Sequence, residues 1–132
     1  MRFTEYELTA ALTGAAKAVL AAQRKDVRRG RADIDTVWAE MDRYQRFQLL
    51  DQIGAQILPV LVALPDVEVA TGTRPTYTDR QVRETVEATV SGSEGKLRRA
   101  VLLTARTALV QSALRHVPPR SDPDALTVPD HL

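Results

Sequence analysis

The chain has two histidines and no cysteine, so metal or nucleophilic chemistry would have to be built from His116, His131, four serines and the acids. Metal capture needs converging ligands, and neither histidine stands in a Glu-x-x-His or His-x-x-x-His arrangement. His116 reads instead as a cation near the end of a helical pattern, where the carboxyl-terminal partial charge favours it. None of Ser91, Ser93, Ser112 and Ser121 lies in a Gly-x-Ser-x-Gly elbow. The sequence-adjacent acids Glu40 with Asp42 and Glu84 with Glu87 fall on helical patterns beside arginines, the spacing of a solvated face. Neither Gly-x-Gly-x-x-Gly nor Gly-x-x-x-x-Gly-Lys is present, so a nucleotide cradle has no support. The residues offer no catalytic constellation, no metal site and no cofactor site.

Two local features carry more information. The run Arg24-Lys25-Asp26-Val27-Arg28-Arg29-Gly30-Arg31 concentrates five cations against one acid, which makes Arg24, Lys25, Arg28, Arg29 and Arg31 candidate contacts for a phosphate or other anion. No aromatic residue interleaves this run, which argues against stacking on single-stranded bases. The second feature is Trp38, Met41, Tyr44 and Phe47, a cluster holding three of the chain's six large aromatic residues. These aromatics do not share one helical face, so at least one is expected to point away from the core, and the four residues form a candidate interface.

A chain of 132 residues with formal net charge +1 suits one domain with one core and no global field to recruit nucleic acid or an anionic membrane. The absence of cysteine and of an apolar leader after Arg2 leads to the expectation of a cytoplasmic protein. The longest apolar run, Ile57 to Leu64, is far below the roughly 20 residues that a membrane helix needs.

Helical periodicity dominates the rest. Phe3-Thr4-Glu5-Tyr6-Glu7-Leu8 contains a capping box and staple, followed by the stripe Leu8, Ala11, Leu12, Ala15, Val19 and Ala22. This first helix should end near the cations and Gly30, with Asp33 or Asp35 capping the next. The second pattern runs from Ile34 to Leu64 and its apolar face swings by more than a quarter-turn, so a single helix there must pack on different neighbours along its length or bend, with Gly54 to Pro59 as the expected kink. A straight helix of that length would span about 46 Å, against a domain diameter of roughly 36 Å. Asp66 to Pro75 reads as a connector with a short extended piece at Val67 and Val69. Tyr77-Thr78-Asp79-Arg80-Gln81-Val82 opens a third helix with the same capping grammar, and Leu97 to Val117 forms a fourth whose apolar residues occupy most of its circumference, as expected of a central helix.

The sequence therefore predicts an all-α fold, a compact bundle of about four helices in residues 1–117, with a long kinked second helix and a long connector after it. A proline-containing extended tail over residues 118–132 completes it. The function expected is a non-catalytic interaction module that associates with itself or another protein and not with a membrane. A nucleic-acid-binding regulator using the basic corner is the alternative.

Overall fold

The computed structural model describes residues 1–92 and 95–121 and is all-helical over them, with six helices: α1 Glu5–Gln23, α2 Lys25–Arg28, α3 Ile34–Glu40, α4 Arg43–Ala63, α5 Asp79–Thr89 and α6 Lys96–Arg115. Ser93 and the part of the tail that holds Leu126, Val128, His131 and Leu132 lie outside the described residues. No described helix is long and apolar enough to cross a membrane.

The two capping boxes form as their sequences dictate. Thr4 accepts from the backbone N–H of Glu7 at 3.1 Å while the Glu7 carboxylate accepts from that of Thr4 at 2.8 Å. Thr78 and Gln81 repeat the exchange at 3.1 and 2.8 Å. Each box satisfies amide groups that the first turn of a helix leaves without partners. Gly30, at φ 72°, takes the left-handed conformation after α2, and Asp33 caps α3 by accepting from the Thr36 N–H at 3.2 Å.

The expected long second helix is two helices. Met41 (φ −66°, ψ 146°) and Asp42 (φ −59°, ψ 139°) are both extended, and Asp42 then caps α4, its Oδ1 facing the Tyr44 N–H at 3.4 Å. This break lets α3 and α4 take independent rotational settings, which accounts for the swing of the apolar face. It stands at Met41–Asp42, and α4 continues as helix through Gly54 and Pro59. The missing N–H of Pro59 frees the carbonyl of Ala55, a residue on the exposed side where water can take the bond.

The core is formed by Ala11, Ala15 and Ala16 of α1, Ile53, Ile57, Val60 and Leu61 of α4, Val82 and Val86 of α5, and Leu103, Val110 and Ala113 of α6, closed by Leu64, Val90 and Val117. Burying each of the larger side chains contributes about 1.5–3 kcal/mol. α1 packs on α6 and α4, α5 on α6 and α4, and α3 on α1. The alanines of α1 let its neighbours approach closely. Val67 and Val69 of the connector pack on the edge of the core without forming a strand. α6 packs on α1, α4 and α5, as expected of a central helix, yet part of its circumference is open, since Leu97 and Val101 are 79% and 63% exposed and Ala100, Ala105 and Ala108 also face solvent.

The start of the tail is anchored. Arg120 reaches the buried Glu7 through Nη2 to Oε1 at 2.9 Å and Nε to Oε2 at 3.3 Å, and its Nη2 also donates to the Arg2 carbonyl. The Arg120 backbone pairs with the turn within the connector, donating to Thr73 and accepting from Gly72, both at 2.8 Å. The Met1 ammonium in turn donates to the carbonyls of Val62 and Leu64 at the end of α4, with Asp66 3.6 Å away. A cation there meets the negative end of the helix dipole.

Burial acts to raise the Glu7 pKa, yet the bonds from Arg120 and Thr4 and the Arg120 charge outweigh it and hold the carboxyl below its ordinary value. A group depressed on folding stabilises the fold above its unfolded pKa and loses that contribution as pH falls through the folded value. Arg120→Ala should therefore cost about 2–3 kcal/mol at neutral pH. Urea denaturation from neutrality down to below the carboxylate range should show this deficit shrinking as Glu7 protonates.

Candidate functional site

The break at Met41–Asp42 decides the fate of the aromatic cluster. Trp38, on α3, is half-buried against the core, with the Lys17 ammonium 6.0 Å from its ring centroid and its carbonyl accepting from Arg46 Nη1 at 3.2 Å. Lys17 also bonds Asp35 at 3.0 Å, so α1 grips α3 by a cation over a ring and an ion pair together. Met41 is half-buried at the break. Tyr44 and Phe47, on the first turns of α4, are 64% and 63% exposed. The four candidate interface residues thus divide, with Trp38 joining the body of the domain and Tyr44 and Phe47 facing outward.

The outward direction follows from the phase of α4. Its buried residues Ile53, Ile57, Val60 and Leu61 fix one face to the core, and at 100° per residue a band running from the flank of that face toward solvent collects Tyr44, Phe47, Asp51, Ala55, Leu58 and Val62. Five of these are exposed, Val62 to 64%, and Leu58 is half-buried. Apart from Asp51 this band is apolar or aromatic, with the exposed Gln48 and Gln52 bordering it on the outward side. Sequence periodicity missed it because a single helix phase was carried across the break.

The basic corner is built around α2, one turn of helix. Arg24 forks onto Asp26, with Nε to Oδ1 at 3.1 Å and Nη2 to Oδ2 at 2.8 Å. The Arg24 bond is the main reason the Asp26 carboxyl lies below its ordinary range. The same aspartate accepts from the Val27 N–H at 2.9 Å, and its carbonyl accepts from the N–H groups of Arg31 and Ala32 at 2.8 and 3.2 Å. Asp26 therefore organises the loop and takes up one cation. Lys25, Arg28, Arg29 and Arg31 are exposed, and none is ion-paired among the described residues.

Clefts also open on the surface, two of which are lined by several titratable side chains. One, of about 390 Å³, lies over α1 and is lined by Thr13, Gly14, Lys17, Ile34, Asp35 and His116 among others. His116 Nδ1 lies 2.7 Å from the Ser112 carbonyl; a carbonyl only accepts, so Nδ1 carries the proton. The imidazole packs directly on Gly14, where any side chain would meet the ring and its Cβ. The second cleft, of about 440 Å³, is lined by Arg74, Tyr77, Asp79, Gln111 and Arg115. Arg74 Nη1 donates to the Arg115 carbonyl at 2.7 Å, Gln111 Nε2 to Asp79 Oδ1 at 2.7 Å, and the Tyr77 hydroxyl to the Pro65 carbonyl at 2.8 Å. Its polar groups mostly bond to one another and tie α5, α6 and the connector together. Among the described residues no three His, Cys, Asp or Glu side chains are grouped to hold a metal ion.

This division of the aromatics has a measurable consequence for stability. Trp38→Ala should destabilise the domain by about 2–4 kcal/mol, since it removes a packed ring. Tyr44→Ser and Phe47→Ser should stay within about 0.5 kcal/mol. Urea denaturation of dilute protein separates these outcomes. No family model matches the chain, and no curated protein or solved structure matches it either.

Proposed function

We propose that this chain is a non-catalytic helical protein–protein interaction module that self-associates through Tyr44 and Phe47 at the head of α4. The observation that carries the reading is the pair of solvent-facing rings, Tyr44 and Phe47, one turn apart at the head of a helix whose other end packs into the core. Aromatic side chains supply much of the energy at protein interfaces, and withdrawing each from water contributes about 1.5–3 kcal/mol. A net charge of +1 leaves little long-range repulsion between copies. The acids that the sequence sets close together support a non-catalytic reading, since Glu84 pairs with Arg80 at 3.0 Å and Glu87 with Arg83 at 3.3 Å on the exposed side of α5.

Sedimentation velocity across the micromolar range should show a reversible dimer, which Tyr44→Ser/Phe47→Ser converts to monomer with unchanged helicity. A wild-type chain that stays monomeric throughout that range contradicts the proposal.

A second reading, binding to a nucleic-acid backbone, is supported by the four exposed cations that Asp26 leaves without a partner among the described residues. Lys25, Arg28, Arg29 and Arg31 on one phosphate backbone give an expected log–log salt slope of about −3 to −4. A titration of duplex and single-stranded probes at low salt should show that slope and its loss in Arg28→Glu/Arg29→Glu. Absence of binding, or binding indifferent to the charge reversal, removes this reading.

A further inference from the structure

We infer that the occupant of the α4 face is a second copy of this chain, docked antiparallel about a two-fold axis at Phe47 so that Arg43 of each copy meets the partner's Asp51. The inference rests on the interaction reading above and adds its geometry.

Arg43, Phe47 and Asp51 stand four residues apart in succession and form one ridge of α4. In an antiparallel pair centred on residue 47, positions equally far before and after it face each other across the axis, as a self-complementary two-fold contact requires. Arg43 and Asp51 each lie four residues from Phe47, so a cation meets an anion at both ends of the contact. Both side chains are exposed, and neither is ion-paired within its own chain among the described residues. Between them Phe47 meets the partner's Phe47, with Tyr44 of each copy beside the pair. The result is an aromatic centre with a polar rim.

Charge selects this register over the longer one that the rest of the stripe permits. Centring the pair on residue 53 would place Tyr44 against the partner's Val62. It would also bring Asp51 within about one turn of the partner's Asp51, and it would leave Arg43 opposite the partner's Ala63. Like charges brought together across an axis disfavour that arrangement. The ridge from Arg43 to Asp51 is only about 12 Å long, so the contact falls short of the roughly 800 Å² per partner of a standard stable interface. The dimer is consequently one that dissociates on dilution.

Sedimentation equilibrium on the full chain tests the register. Because the axis duplicates every contact, Arg43→Asp alone or Asp51→Arg alone creates two like-charge encounters and should weaken association about tenfold or more. The combined Arg43→Asp/Asp51→Arg variant should return to within about threefold of wild type. Val62→Glu should leave association unchanged. Failure of the double variant to recover overturns the register, as does a Val62→Glu chain that dissociates while the charge variants are silent. In either case a wild-type dimer abolished by Tyr44→Ser/Phe47→Ser keeps the interaction reading intact. A wild-type chain that is monomeric at every concentration overturns both.

Discussion

A single carboxylate joins three distant parts of this chain. Glu7 closes the capping box that starts α1 and receives the two-pronged contact of Arg120, whose backbone is stitched to the turn at Gly72 and Thr73. Burying a charge is costly unless its oxygens are satisfied, and here each oxygen has a partner. The same bonds that make the burial tolerable also fix where α1 begins, where the connector turns and where the chain goes after α6. With α1 held at its head, its small-residue face can seat against α4 and α6, and the solvent side of α4 is set by default.

The parts of this fold legible in the sequence are those governed by local rules. Thr4 with Glu7, Thr78 with Gln81, Asp33 and Gly30 all act as their chemistry dictates, because a cap is decided within four residues. The division of the second helical pattern was not legible. Asp42 stands between Met41 and Arg43 with good helix formers on both sides, and its role as a cap emerges only once Met41 adopts an extended backbone. α6 was legible as a central helix and does pack on α1, α4 and α5, but its apolar circumference did not tell which part stays open, and Leu97 and Val101 stand in solvent. Composition reports how much apolar surface a helix has, and the neighbours decide how much of it they cover.

The same distinction applies to the candidate surfaces. The cluster Trp38, Met41, Tyr44 and Phe47 was legible as a place where not every aromatic could be buried, whereas which ones were buried depended on the break. The pairing of Glu7 with Arg120 carried no signal, the two being 113 residues apart. The basic corner was legible as a charge run, but the part played by Asp26 as both ion-pair partner and loop organiser required the geometry.

The contact between Gly14 and His116 constrains how this sequence can vary. Two helices meet there so closely that the imidazole occupies the space of a missing methyl group. As long as the chain after α6 keeps its path, position 14 has room for glycine alone. A larger residue at 14 demands that the chain after α6 leave by another path, and that path is the one that delivers Arg120 to Glu7. Substitution at a small, chemically inert position on α1 would thus be recorded as altered spacing at the far end of the chain.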